Sequence, residues 1–137
     1  MSLTIKRVQY FYVTLPDQPG EAYTLLNMLA DRGINQLAFS AVPIGPNSTQ
    51  LALFPEEPAK LIREAELSGM NMDGPHHALL IQGDDELGAL AKLHQQLYEA
   101  NINVYATSGV TDGRGSYGYL IYVKADDYDR AAEALGV

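Results

Sequence analysis

Two short stretches of this chain combine the residue types that can hold a small zwitterion. The first is Asp17-Gln18-Pro19-Gly20 and the second is Asp85-Glu86-Leu87-Gly88. Each lies between an apolar run and a segment with helical periodicity, a pattern typical of a turn from a strand into a helix. Backbone N–H groups at a helix N-terminus attract a carboxylate, a glycine lets a ligand approach the backbone, and an aspartate can accept hydrogen bonds from an ammonium group. The two stretches are therefore candidate binding sites for a small zwitterion.

Purely structural roles for the same residues are the alternative. Asp17 and Asp85 can cap their helices, and Gly20 and Gly88 can allow close packing between helix and sheet. The second stretch also lies in the acidic run 84–86, which repels a carboxylate and favours either a structural role or a cation. The first stretch is therefore the better candidate for a ligand site.

The elements around these turns follow from hydrophobic periodicity and from the turn residues between the periodic segments. Apolar residues on both faces of the opening strand place it centrally in a sheet. Pro19 suits the first position of the helix that follows, with Asp17 upstream as its N-cap. The third helix is expected to turn Leu87, Leu90, Ala91, Leu97 and Tyr98 inward. The predicted strands are 3–15, 34–44, 48–54, 70–73, 77–82, 102–111 and 116–124, and the predicted helices are 21–31, 58–67, 84–100 and 125–135.

An internal repeat organises these elements. When residues 8–69 are compared with residues 76–137 at an offset of 68, twelve positions are identical, where chance gives about four. Each copy contains β-α-β-β-α, and a fourth strand is evident only in the first copy. The prediction is an α+β fold with a ferredoxin-like βαββαβ unit repeated twice, built of antiparallel sheets with helices on one face. Gly74-Pro75 is the predicted linker, which gives domains at 1–73 and 74–137.

The turn after strand one, together with an Ile-Asn pair at the start of strand two, resembles the ACT domain. The resemblance covers nearly the whole chain as two tandem copies, and the second lacks the proline of the turn. It implies a freestanding regulatory protein without a catalytic domain, which forms a homodimer and binds an amino acid or similar effector where these turns meet a neighbouring ACT domain. The implied ligand-binding residues are Asp17, Gln18, Pro19, Gly20, Asn35 and Gln36 in the first copy, and Asp85, Glu86, Leu87, Gly88, Asn103 and Val104 in the second.

Composition excludes several other functions. The net charge is −8 with no basic patch, so nucleic acid and anionic membranes are not expected partners. The chain has no cysteine and no signal-peptide pattern, which leads us to expect a cytoplasmic protein. We expect no cofactor and no metal, because the adjacent His76 and His77 face opposite sides of a strand. The rival hypotheses are a ligand-free module that docks on a metabolic enzyme and, third, an enzyme.

Three further aromatic side chains carry predictions of their own. His94 falls at the edge of its helix's apolar stripe, where a packed and hydrogen-bonded histidine is expected. Tyr117 and Tyr119 share one face of a strand. Cross-strand packing is the simpler interpretation of this pair, and an aromatic wall for a ligand or partner is the alternative.

Overall fold

The computed structural model describes residues 3–137, so the first two residues of the predicted first domain lie outside the described residues. The chain divides into two compact units. The first unit is Gln9–His76, and the second combines Leu3–Val8 with His77–Val137. The elements are β1 (Leu3–Pro16), α1 (Glu21–Asp31), β2 (Gln36–Ile44), β3 (Ser48–Pro55), α2 (Pro58–Ser68), β4 (Asp73–Asp84), α3 (Ala89–Glu99), β5 (Ala106–Thr111), β6 (Ser116–Tyr122) and α4 (Tyr128–Ala134).

The first unit is a complete βαββαβ arrangement in chain order. Its strands β2, β3 and β1 are neighbours, with antiparallel register Phe11 to Leu53 and Phe39 to Leu53. The opening residues of β4 provide its last strand segment. Burial of apolar surface between one sheet face and the two helices supplies the main stabilisation. That core consists of Phe11, Val13, Leu25, Leu29, Ile34, Leu51, Leu53 and Leu61.

The second unit takes its remaining strand segment from the start of the chain. Strands β4, β6 and β5 are antiparallel neighbours, and Leu3–Val8 of β1 belongs to the same unit. Ile5 packs on the core, and the Arg7 guanidinium lies 2.9 Å from the carboxylate of Asp129 and donates to the carbonyl oxygen of Val137. The fourth strand that the second copy lacks in chain order is therefore supplied by β1. A ferredoxin-like βαββαβ fold repeated twice is confirmed.

The two copies agree in backbone detail at the predicted offset. Helices α1 and α3 both contain 11 residues and begin and end 68 positions apart. After α1 the N–H of Ile34 bonds the carbonyl oxygen of Leu29, and after α3 the N–H of Ile102 bonds that of Leu97, both at 2.9 Å. The repeat detected from residue identities is thus also a repeat of hydrogen bonds.

Several predicted boundaries are wrong. Gly74-Pro75 is not a linker, because both residues lie inside β4, and the short strand expected at 70–73 is only the first residue of that strand. Helix α3 begins at Ala89 rather than at residue 84, and β5 begins at Ala106 rather than at residue 102. The final helix is a 3₁₀ turn followed by α4. Among residues 3–137, no helix is long and apolar enough to cross a membrane.

The inward face predicted for the third helix also needs correction. Leu93 and Leu97 are buried, whereas Leu87, Leu90, Ala91 and Tyr98 are exposed. The core stripe follows the i, i+4 pair Leu93–Leu97. Leu87 precedes the helix, since the helix begins at Ala89.

The orientation of α3 predicts that substitutions at two leucine positions differ in their effect on stability. Leu97 is 1% exposed in the core of the second unit, and Leu87 is fully exposed. Leu97→Ala should lower the free energy of unfolding by about 2–5 kcal/mol because it leaves a cavity, and Leu87→Ala should change it by no more than about 0.5 kcal/mol. Urea denaturation followed by circular dichroism measures both. Equal losses in the two variants would contradict the described orientation of α3.

Candidate functional site

The two predicted turns have the same backbone structure. Gly20 and Gly88 precede α1 and α3 with φ of +90° and +82°. The N–H of Asp17 donates to the carbonyl oxygen of Asn47 at 2.9 Å, and the N–H of Asp85 donates to that of Gly115 at 2.8 Å. Each turn is therefore tied to the hairpin loop of its own unit. This bond holds the start of each helix beside the end of a hairpin.

The capping roles suggested by the sequence are wrong. The N-cap residues are Gly20 and Gly88, and neither helix has a side-chain cap. Pro19 precedes the N-cap and is not in the first helical turn. A Cβ atom at either glycine would meet no atom within 4 Å. Glycine is therefore favoured by the left-handed backbone and not by close packing.

A cavity of about 720 Å³ lies against the second turn. This volume is within the usual range for small-molecule sites. The turn Asp85–Gly88 and the first residues of α3 form one side, and strands β5 and β6 form the other. Most of the lining is apolar or glycine, with the carboxylates of Asp85 and Glu86 on the turn. The lining residues are Asp85, Glu86, Leu87, Gly88, Ala89, Leu90, Ala91, Gly109, Val110, Thr111, Tyr117, Gly118 and Tyr119.

The electrostatic field at this cavity is negative. Asp85 and Glu86 line it, and no lysine, arginine or histidine does. Within residues 3–137, neither carboxylate is in a salt bridge. Burial raises the pKa of the Tyr117 phenol above its ordinary value, and the charges of Glu86 and Asp84 raise that pKa further. The cavity therefore favours a cationic group over an anionic one.

One wall of the cavity depends on a cross-strand pair. Gly109 on β5 lies opposite Tyr119 on β6. A Cβ atom at Gly109 would overlap Cδ1 of the Tyr119 ring and lie 3.0 Å from the carbonyl oxygen of Gly118. The hydroxyl group of Tyr119 is 2.9 Å from Nε2 of His94 on α3. The expectation of a packed, hydrogen-bonded His94 is confirmed, and both buried tyrosines, Tyr117 and Tyr119, also line the cavity.

The strand-two residues implied by the resemblance are placed differently from the turns. The side-chain amide of Asn35 donates to the carboxylate of Glu56 at 3.1 Å, so it is engaged locally. The polar side-chain atoms of Gln36 are buried, and among residues 3–137 they have no hydrogen-bond partner. Val104 packs on the core of the second unit, and Asn103 is exposed. Neither Asn103 nor Val104 lines the cavity beside Asp85–Gly88.

Sequence reasoning missed the strand residues that complete the cavity. Gly109, Val110 and Thr111 carry no motif that distinguishes them from ordinary strand residues. The contrast between repeats was the available signal, because Gly109 and Tyr119 replace Ala41 and Leu51 at the offset of 68. Within the described range of the chain, no group of three or more His, Asp or Glu side chains could hold a metal ion.

Comparison with solved structures identifies the fold. Protein BT0572 from Bacteroides thetaiotaomicron superposes with a TM-score of 0.79 at 16% identity, over 96% of this chain and 88% of that one. The ligand-free regulatory subunit of aspartate kinase from Thermus thermophilus superposes with a TM-score of 0.60 at 19% identity, over 97% and 93% of the two chains. This chain has the tandem ACT-domain fold.

A third neighbour extends the comparison. A putative C-terminal regulatory domain of aspartate kinase from Porphyromonas gingivalis superposes with a TM-score of 0.53 at 15% identity, over 98% of this chain and 94% of that one. No protein-family model and no curated protein matches this sequence. The ACT resemblance drawn from the turns and the repeat is confirmed by fold.

The field around Tyr117 predicts a titration. Glu86→Gln removes one of the charges that raise the Tyr117 pKa, so the pKa should fall but stay above the ordinary tyrosine value of about 10 because burial remains. The native state then keeps a proton that the unfolded state releases, and stability decreases as pH rises from about 10 towards the raised pKa. Phenolate absorbance, with Tyr117→Phe to assign the signal, measures the shift. An unchanged Tyr117 titration in Glu86→Gln would rule out this coupling.

Proposed function

We propose that this protein is a regulatory module that binds an amino acid or a similar small effector in the cavity beside Asp85–Gly88. The observation that supports the proposal is the cavity itself, about 720 Å³ in volume, at the start of an uncapped helix. The ACT resemblance implied the same kind of location. The second turn therefore replaces the first as the preferred site, because a cavity with strand residues and aromatic walls accompanies it.

The geometry suggests how a zwitterion is held. The N-terminus of α3 has no side-chain cap. The N–H of Ala89 donates to the carbonyl oxygen of Glu86 at 3.1 Å, which leaves the next two N–H groups of the helix, those of Leu90 and Ala91, to suit the α-carboxylate. The carboxylates of Asp85 and Glu86 are available to an ammonium group. The body of the ligand then contacts Leu90, Tyr119 and the other apolar residues of the wall. Each charge of the zwitterion meets the opposite charge or dipole.

The regulatory part of the proposal rests on two observations. The neighbours named above for aspartate kinase are a regulatory subunit and a putative regulatory domain of that enzyme. No side chain capable of acting as a general base at neutral pH, other than the two carboxylates, lines this cavity. We therefore assign no catalytic step to the chain. Its ligand state is transmitted to a partner enzyme or to its own assembly through differential affinity for one arrangement.

The open side of the cavity favours an assembly of two copies. Strand β5 pairs only with β6 within the described residues, and all six of its residues are exposed. Its residues Gly109, Val110 and Thr111 also line the cavity. A strand edge with free N–H and C=O groups favours pairing with another chain. A homodimer formed along this edge encloses the ligand more completely than one copy does.

A docking function without a ligand is the second candidate. The edge strand β2 exposes three large apolar side chains, those of Phe39, Val42 and Ile44, at 39%, 49% and 37%. Such an edge suits a protein partner, which adds a strand or covers the apolar residues. Val42→Lys should abolish capture of such a partner and leave small-molecule binding intact, as measured by pull-down and calorimetry respectively.

The ligand proposal predicts a difference between two matched variants. Asp85 lines the cavity, and Asp17 is its equivalent in the first unit. Asp85→Asn should weaken amino-acid binding at least about tenfold, because a hydrogen bond to a charged group contributes about 1.5–3 kcal/mol. Asp17→Asn should leave binding unchanged. Isothermal titration calorimetry with the amino acid selected by a thermal-shift screen measures both affinities.

The screen itself supplies the test that can reject the proposal. A ligand at a hundred times its dissociation constant stabilises the native state by about 2.7 kcal/mol, which raises the melting temperature of a chain of this length by about 10 °C. If none of the twenty amino acids changes the melting temperature, the ligand-binding function is wrong and the docking function becomes the better one. If Asp17→Asn alone weakens binding, the site lies in the first unit.

A further inference from the structure

We infer that Gly109, Tyr119 and His94 form a selectivity wall, and that this wall, together with the acidic turn, makes the second-unit cavity prefer amino acids with an apolar side chain over acidic ones. The inference rests on the proposed amino-acid binding and names the ligand class for that site. None of the three residues belongs to the strand–helix turn. Gly109 and Tyr119 line the cavity, and His94 is a positioning residue that acts through Tyr119.

The steric part of the wall is the pairing of Gly109 with Tyr119. These residues lie opposite each other in the β5–β6 ladder. A Cβ atom at position 109 would overlap the ring at Cδ1 and lie 3.2 Å from Cε1. Gly109 does not have a positive φ, so glycine is needed here for space and not for backbone conformation. The space left by the missing side chain is filled by the Tyr119 ring.

The polar part of the wall is the contact between Tyr119 and His94. The Tyr119 hydroxyl lies 2.9 Å from Nε2 of His94 in a partly buried position. A buried hydroxyl group without a partner is costly, and this bond satisfies it within the protein. Because His94 does not line the cavity, the hydroxyl is directed to the helix and the ring offers carbon to the ligand. The wall thus matches an apolar group better than a polar one.

The first unit shows what the same positions contain when no such wall is built. At the offset of 68, Ala41 and Leu51 are the cross-strand pair that replaces Gly109 and Tyr119. Leu26 occupies the position of His94. All three residues differ between the two units, although the helix, the glycine turn and the hairpin bond are equivalent. Tyr119 contacts both of the other residues, and all three differ from their counterparts in the first unit. We therefore interpret them as one structural feature and not as three independent substitutions.

The negative charge of the cavity contributes to the proposed selectivity in addition to the wall. Asp85 and Glu86 line the cavity, and no basic side chain does. An acidic amino acid brings a second carboxylate next to these two groups, with no cation to pair with it, and like charges in a partly desolvated site repel. The α-carboxylate can use the N–H groups of α3, but a side-chain carboxylate has no such partner. The cavity therefore accepts L-leucine or L-phenylalanine and discriminates against L-glutamate.

The test measures dissociation constants for L-leucine, L-phenylalanine and L-glutamate by isothermal titration calorimetry on the full chain. We expect at least one of the two apolar amino acids to bind ten or more times more tightly than L-glutamate. Gly109→Ala combined with Tyr119→Leu copies the first-unit pair and should weaken apolar binding at least tenfold. His94→Leu should weaken it severalfold, and His94→Gln, which keeps a hydrogen-bonding group, should restore much of the loss.

Three controls make the outcomes distinct. Circular dichroism establishes that each variant is folded, and Tyr119→Leu alone, with the same expected loss and the same overturning result, replaces the double variant if that one does not fold. Leu26→Ala in the first unit should leave all three dissociation constants unchanged. Binding of L-glutamate as tight as that of the apolar amino acids, or unchanged apolar affinity in a folded double variant or in His94→Leu, overturns the selectivity wall and leaves amino-acid binding intact. Absence of binding by every amino acid overturns both proposals.

Discussion

The need of each unit for a fourth strand segment is the constraint on which the structure depends. An open strand edge leaves backbone N–H and C=O groups without partners, and a unit of this size has a small core. Strand β1 contributes Leu3–Val8 to the second unit and its remaining residues to the first. Strand β4 is divided in the same way at His76. Two long strands thus provide four strand segments, and no linker separates the copies.

This sharing explains where sequence reasoning succeeded and where it could not. The offset of 68 residues, the end of α1 at Asp31 and its buried pair Leu25–Leu29 follow from local periodicity. In α3 the inward position of Leu97 was predicted, but that of Leu93 was not. The strand segment missing from the second copy could not be found, because it lies at the opposite end of the chain. The expected linker failed for the same reason. Gly74 and Pro75 are turn residues by composition, but their place in β4 is decided by long-range pairing.

The two turns show which features of the candidate site are determined by residues close together in sequence. Left-handed glycines, a bond to the hairpin loop and an uncapped helix occur in both units and follow from the turn itself. Whether a cavity forms depends on residues that are distant in sequence. Tyr119 is 31 positions beyond Gly88 in the chain, and no motif links the two. The turn residues alone favoured a ligand site in the first unit, because the proline is present in its turn and the additional acidic charge is absent.

The acidic charge of the second turn argued against binding of a carboxylate there, but beside the cavity it favours a ligand that also carries an ammonium group. A zwitterion carries both signs, and the dipole of α3 is suited to its carboxylate. In the proposed complex Asp85 and Glu86 act on the ammonium group, and the net charge of −8 adds an attractive field for a cation. The same field opposes a second carboxylate on the ligand. In the proposed site, charge at the turn and carbon at the Tyr119 wall therefore favour the same ligand, one with a single carboxylate and an apolar body.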